Sequence, residues 1–182
     1  MKKIISFILT LCLTFCLSNS AFAMDTQFDE DFTYGVITDV DLVESYDSTI
    51  TPRGGTPPSS NSVWDLSSED YYGSFDFDNL IYTNNRFENH NGNLYVYVNS
   101  YFTETWGRDT TGFTMDVSLV KMTVLGNKYI STVEIEVGRP YVVYWEGVDD
   151  NEDYYFIFSQ PYNHRDCRIG GNFRISATNH WF

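Results

Sequence analysis

His164 and Cys167 stand three residues apart in the segment NHRDC, with Asp166 between them. An imidazole within reach of a thiol lowers its pKa and makes it a nucleophile, and the same pair is half of a metal site. Either chemistry needs a third group, and the sequence offers none beside them, so the plainer reading is a loop histidine near a partly buried cysteine. Glu104 with Asp109, and Asp76 with Asp78, are candidate carboxylate pairs for glycosidic cleavage. With 25 acidic residues in the chain, such pairs also arise by chance. Of the established catalytic signatures there is no His-Glu-x-x-His, no Gly-x-Ser-x-Gly, no phosphate-binding glycine loop and no cysteine pair for zinc.

Two other groupings bind rather than react. Asp149, Asp150, Glu152 and Asp153 gather hard oxygen ligands in one corner, which makes calcium the metal to consider. Their spacing is not that of a helix-loop-helix calcium site, and solvated turn residues are the ordinary alternative. The second grouping is aromatic. Tyr95 and Tyr97 share one face of a strand opposite Leu94, Val96 and Val98, and Tyr101 and Trp106 follow, beside Arg108 and Asp109. If the aliphatic set faces inward, these four rings present flat apolar surfaces edged by polar groups. Sugar rings suit such surfaces, and so do protein partners. Cross-strand pairing that only stiffens a sheet is the competing account.

The chain that must position these groups begins with a targeting pattern. Lys2 and Lys3 precede an apolar run from Ile4 to Leu17, and Ala21-Phe22-Ala23 offers a small-x-small cleavage site before Met24. The run is short for a membrane anchor. Cys16 follows Phe15, whereas a lipoprotein signal needs a small residue there. The expectation is export with release. Cleavage after Ala23 leaves 159 of the 182 residues, enough for one domain with a substantial core. Lys2 and Lys3 leave with the signal, so 9 of the 11 basic residues face 25 acidic ones. That balance disfavours nucleic acid and anionic membranes as partners. Cys12 and Cys16 also leave with the signal, so Cys167 has no internal disulfide partner and the fold must rest on its core.

Residues 24–62 form an acidic arm ending in the Pro/Gly/Ser-rich run TPRGGTPPSSNS. Within it, Tyr34 to Val43 carries enough Val, Ile and Leu for one short strand or helix. From Val63 to Phe182, apolar runs of period two recur with turn residues between them. They comprise Tyr71–Phe77, Leu80–Thr83, Leu94–Ser100, Gly112–Met122, Tyr129–Val137, Pro140–Glu146, Tyr154–Ser159 and Asn172–Ala177. Gly126-Asn127 and Gly170-Gly171 read as breaks between runs. About eight strands without a convincing helix predict an antiparallel two-sheet sandwich, immunoglobulin- or fibronectin III-like or jelly-roll-like.

Gly147-Val148, five residues, then Tyr154-x-Phe156-x-Phe158 resembles the tyrosine corner of fibronectin type III domains. The resemblance implies that the Tyr154 hydroxyl bonds back to upstream backbone and that Val148 plugs the corner. Pro52-Arg53-Gly54, Asp65-Leu66-Ser67, Tyr72-x-Ser74-Phe75, Tyr82-Thr83-Asn84 and Tyr154-Tyr155-Phe156-x-Phe158-Ser159-x-Pro161 resemble the skeleton of small exported proteins of anaerobic Gram-positive bacteria. That likeness implies an exported, compact domain and carries no mechanism.

The expected protein is a secreted, monomeric recognition module for a carbohydrate or a protein, using Tyr95, Tyr97, Tyr101 and Trp106. It needs no cofactor, with calcium as the one candidate ion. A small secreted hydrolase built on His164, and an interaction protein that lends its N-terminal arm to a partner, are the alternatives.

Overall fold

The alternation of Tyr141, Val143 and Trp145, and of Tyr154, Phe156 and Phe158, requires two strands that turn these faces to a common interior. A computed structural model of the chain describes residues 32–38, 55–59, 61–161 and 167–180, all within one compact unit. All six side chains are at most 8% exposed and belong to the main core.

The described residues form eleven strands and no helix: β1 (Thr33–Ile37), β2 (Val63–Asp65), β3 (Tyr71–Phe77), β4 (Leu80–Tyr82), β5 (Arg86–Glu88), β6 (Asn93–Glu104), β7 (Thr114–Thr123), β8 (Gly126–Glu136), β9 (Pro140–Glu146), β10 (Asp153–Ser159) and β11 (Arg168–Ser176). The segment left open between strand and helix is a strand over Thr33–Ile37, with Val36 packed on the core. β2 and β5 escape pattern reading because three residues are too few to show a period. Gly170 and Gly171 lie inside β11 rather than ahead of it. Val124-Leu125 makes the β7–β8 turn, and Gly126, with φ at +127°, already belongs to β8.

Two sheets face each other, ordered β1-β9-β6-β11-β3 and β2-β5-β10-β7-β8. β4 also pairs with β10, in line with β5, and Thr83 bridges the gap between them. Its N–H donates to the Phe156 carbonyl at 3.0 Å, and its hydroxyl accepts the Phe156 N–H at 3.1 Å. Only β2 with β5 runs parallel. The antiparallel partners are nested: β3 with β11, β4 and β5 with β10, β6 with β9, β7 with β8. This is one long hairpin, its tip at Val124-Leu125, rolled into two sheets, the arrangement of a jelly roll.

The fibronectin-like corner is present without an immunoglobulin strand order. The Tyr154 hydroxyl donates to the Asp149 carbonyl at 3.2 Å, Val148 is buried, and the Gly147 and Val148 N–H groups both donate to the Gly92 carbonyl. A corner of this kind stabilises a chain leaving one sheet for the other, as β9 does for β10. That local need is met in either topology.

The two sheets meet through aromatic rings. Phe75 and Phe173 of the first sheet lie 5.0 and 4.9 Å, centroid to centroid, from Phe158 of the second. Trp145 packs at 5.5 Å from Phe156 and donates its indole N–H to the Ser131 hydroxyl at 2.5 Å. Gly171 makes the stack possible. A Cβ there would fall against the Asn99 carbonyl oxygen and 2.7 Å from the Phe75 ring. Because backbone cannot step aside as a flexible side chain can, Gly171→Ala is expected to destabilise the protein by about 1–3 kcal/mol. Urea unfolding monitored by fluorescence measures this, and an unchanged midpoint would contradict the packing described.

Candidate functional site

β6 orients the aromatic candidates. Leu94, Val96 and Val98 enter the main core, so Tyr95, Tyr97, Asn99 and Tyr101 point to the outer face of the first sheet. Facing outward is not the same as being exposed. Tyr95 and Tyr97 are only 5% and 4% exposed, in a second cluster with Val142, Ile37 and Tyr144. The Tyr95 hydroxyl donates to Glu146 Oε1 at 2.5 Å. Tyr144 closes the cluster by crossing Gly35, where a Cβ would lie 2.7 Å from its hydroxyl oxygen. The expectation that Tyr95 and Tyr97 offer open platforms is therefore corrected: alternation sets the face of a side chain and not what packs over it.

Tyr101 and Trp106 remain at the surface, 53% and 62% exposed. Tyr101 stands opposite Gly170 of β11. A Cβ at Gly170 would lie 2.6 Å from the Thr103 methyl and 3.4 Å from Tyr101 Cε2, so the methyl and the edge of the phenol ring close over bare backbone together. One border of the ring is charged and ordered. Asp76 Oδ1 accepts the Arg168 Nε–H at 2.7 Å and the Thr103 hydroxyl at 3.1 Å. The Asp76 carboxylate in turn holds the Arg168 guanidinium above its ordinary pKa. The other border is the cross-strand row Asn99, Asn172 and Ser74.

Trp106 occupies a tight turn. Its φ is +47°, that of Gly107 is +78°, and the Arg108 N–H donates to the Thr105 carbonyl at 3.0 Å. Two left-handed central residues make this a type I′ turn, which normally takes Asn, Asp or Gly at its first central position. Trp106 is the only non-glycine among the described residues with positive φ. Such a conformation costs a residue with a Cβ about 1–2 kcal/mol. Further along the loop, Asp109 Oδ1 accepts the Thr111 N–H, and bonding from Thr111 holds this carboxyl below its usual range. Tyr101 and Trp106 are five positions apart, so their Cα atoms are at most about 18 Å from each other.

The acidic corner is wired to cations. Lys121 Nζ lies 3.4 Å from Asp149 Oδ2 and 3.2 Å from Glu152 Oε1, and Arg86 Nη1 is 2.5 Å from Asp153 Oδ2. Burial pulls the Lys121 ammonium pKa down, but Glu152 and Asp149 outweigh it and the net shift is upward. Bonding from the Asn151 N–H, opposed by burial and aided by Lys121, holds the Asp149 carboxyl low. Asp150 turns to the Asn151 side-chain amide. Calcium at this corner would compete with Lys121 and Arg86 for the same oxygens. Among the described residues, no three His, Cys, Asp or Glu side chains converge to hold a metal ion.

Cys167 is buried and its carbonyl accepts the Gln160 side-chain amide at 2.7 Å. His164, the targeting segment and most of the acidic arm lie outside the described residues. The carboxylate candidates serve other partners: Asp76 holds Arg168 and Thr103, and Asp109 caps its own loop. A grouping that sequence reading missed lies at the far end of β11. Arg174 donates Nε–H and Nη2–H to Asp70 Oδ2, and its guanidinium carbon sits 5.5 Å from the centroid of Tyr72. Arg174 and Asp70 are 104 positions apart, and only the β3–β11 pairing brings them together.

Comparison with family models, with curated proteins and with solved structures finds no match to any of them. The geometry alone carries the reading.

Burial raises the phenol pKa of Tyr71, Tyr95 and Tyr155 to about 12, and for Tyr95 the hydrogen bond to Glu146 adds to it. Folding thus favours the protonated phenols. Their contribution is complete below the ordinary value near pH 10 and is lost as pH rises through 12. Thermal melts are expected to fall steeply between pH 10 and 12, in step with phenolate absorbance. Flat stability across that window would contradict the burial.

Proposed function

We propose that this protein is an exported, non-catalytic recognition domain that binds carbohydrate through Tyr101 and Trp106. The carrying observation is Trp106. An indole two-thirds open to solvent gains little for the fold, yet its backbone is held in a conformation that costs free energy. Strain of that kind persists where the displayed side chain has a use. Tyr101 supports the same reading, since its exposed ring reaches the outer side of Gly170 with its Cε2 edge, between Asp76, Arg168 and Thr103 on one side and Asn99 on the other. A pyranose offers an apolar C–H patch to such a ring and hydroxyls to the carboxylate, guanidinium and amides around it. Fully charged partners fit less well: 25 acidic residues against 11 basic ones repel polyanions, and the borders of Tyr101 pair their charges internally. The positively charged start and apolar run that open the sequence support export.

The test separates display from folding. Trp106→Asn relieves the left-handed strain and is expected to stabilise the protein by about 1 kcal/mol. Trp106→Ala and Tyr101→Ala are expected to leave the melting temperature within a few degrees. All three should lose retention on the insoluble polysaccharides that hold the chain from Met24 onward, assayed with calcium and with chelator. Retention of all three variants at the wild-type level on every glycan would sink the proposal.

A further inference from the structure

The outward residues of β11 are Gly170, Asn172, Arg174 and Ser176, and the register fixes their neighbours. Tyr101 and Asp76 flank Gly170, Asn99 and Ser74 flank Asn172, and Tyr97 and Tyr72 flank Arg174. This column is unlike the rest of the outer face. At its upper end the exposed Tyr101 ring, with the Thr103 methyl, borders a residue without a side chain. In the middle stand only short polar side chains, all partly exposed. At its lower end a planar guanidinium lies on the Tyr72 ring and is fixed by Asp70; the side chains of Arg174 and Asp70 are 17% and 15% exposed. Beyond Arg174 opens a cleft of about 430 Å³ whose lining includes Glu69, Asp70, His90, Asn91, Arg174 and His180. There the Thr178 hydroxyl and His180 Nε2 are 2.5 Å apart, and the Asn91 amide donates to the Ala177 carbonyl at 2.8 Å.

Resting on the carbohydrate reading above, we infer that this column is a track for a linear, uncharged oligosaccharide. The chain lies along β11 from the Tyr101 platform to the cleft at Arg174. Four residues of antiparallel strand separate the Gly170 and Arg174 rows, about 13–14 Å, so a ligand must be about three pyranose rings long to touch both. The two ends are flat, one a phenol ring and the other a guanidinium stacked on a ring, and each suits the face of a sugar. The middle supplies amide and hydroxyl groups from Asn99, Asn172 and Ser74, able to donate to and accept from ring hydroxyls. The track offers an anion little: Asp76 holds Arg168 and Asp70 holds Arg174, and further carboxylates stand at both ends, Glu104 and Asp78 toward Arg168 and Glu69 in the cleft. The pairs are also held before ligand arrives, which reduces the ordering cost of binding.

The experiment is a chain-length series on the full protein. Linear oligomers of one to six units of β-1,4-glucose, β-1,4-xylose and α-1,4-glucose are titrated by calorimetry, with hyaluronan oligomers as the charged comparison. In at least one neutral series, affinity is expected to rise tenfold or more between one and four units and then level off. Ser74→Tyr, on the edge strand β3, and Asn172→Trp block the middle of the track. A blocked variant with an unchanged melting temperature should bind the tetramer no better than the monomer. Tyr101→Ala should weaken every length. Monomer and tetramer binding equally well, or tetramer binding indifferent to both blocks, would overturn the track and leave the Tyr101–Trp106 reading standing. Preference for hyaluronan would overturn its neutrality. If no series binds and polysaccharide retention ignores Tyr101 and Trp106, both readings fall together.

Discussion

Two adjacent glycines in β11 set what both faces of the first sheet can be. Gly171 points inward, where any side chain would strike the Asn99 carbonyl and the Phe75 ring. Its absence lets Phe75, Phe173 and Phe158 close the gap between the sheets. Gly170 points outward, and the Thr103 methyl and the edge of the Tyr101 ring close over its bare backbone. Glycine inside a strand sacrifices packing and chain entropy, and the usual compensation is close approach of another group. Here groups approach from both sides. The core stack and the exposed platform are therefore consequences of the same dipeptide, one residue apart on a pleated chain.

That coupling is why a single strand can be both scaffold and surface. β11 sits between β6 and β3 and is paired along its whole length, so its outward side chains have little freedom to shift. Asn172 and Arg174 alternate along it with the core residues Phe173 and Ile175. The Trp106 turn is the opposite case. It lies beyond the end of β6 with its indole mostly exposed, and an Asn or Gly would form the same turn at lower cost. The two exposed aromatics thus differ in backbone: Trp106 sits in a strained turn and Tyr101 on an unstrained strand.

How much of this was legible in the sequence divides by the range of the interactions. Period two correctly assigned the inward faces of β6, β9 and β10, because the side chain's direction is a property of the strand alone. The Tyr154 corner was legible for the same reason, since its hydroxyl reaches only five residues back. The two-glycine step was misread as a break. Composition marks glycine as a loop former, and only the partner strand shows what it makes room for. Burial of Tyr95 and Tyr97, pairing of Arg174 with Asp70, and capture of the acidic corner by Lys121 and Arg86 all depend on strand order. A nested jelly roll brings sequence-distant strands together, and no local pattern announces which. The tyrosine corner, shared by two topologies, could not decide between them.

The charge distribution follows the same logic. An excess of acidic residues would be expected to form a field that excludes anything but cations, yet the described basic residues are not spread evenly through it. Arg168 and Arg86 stand against carboxylates of other strands, and Arg174 and Lys121 against the carboxylates of Asp70 and Asp149 in the connections. Ion pairs at a surface contribute little to stability, about 0–1 kcal/mol each, so their value for the fold is small. Their effect on recognition is larger. Each guanidinium or ammonium cancels the field where it sits and leaves oriented donors and acceptors in its place. Along β11 this happens twice, at Arg168 and at Arg174, on the face that also carries the exposed tyrosine. A face whose guanidinium groups are already held by carboxylates, and which still presents hydrogen-bonding groups at Asn99, Asn172 and Ser74, matches the polyhydroxylated, uncharged chain proposed above better than an anion.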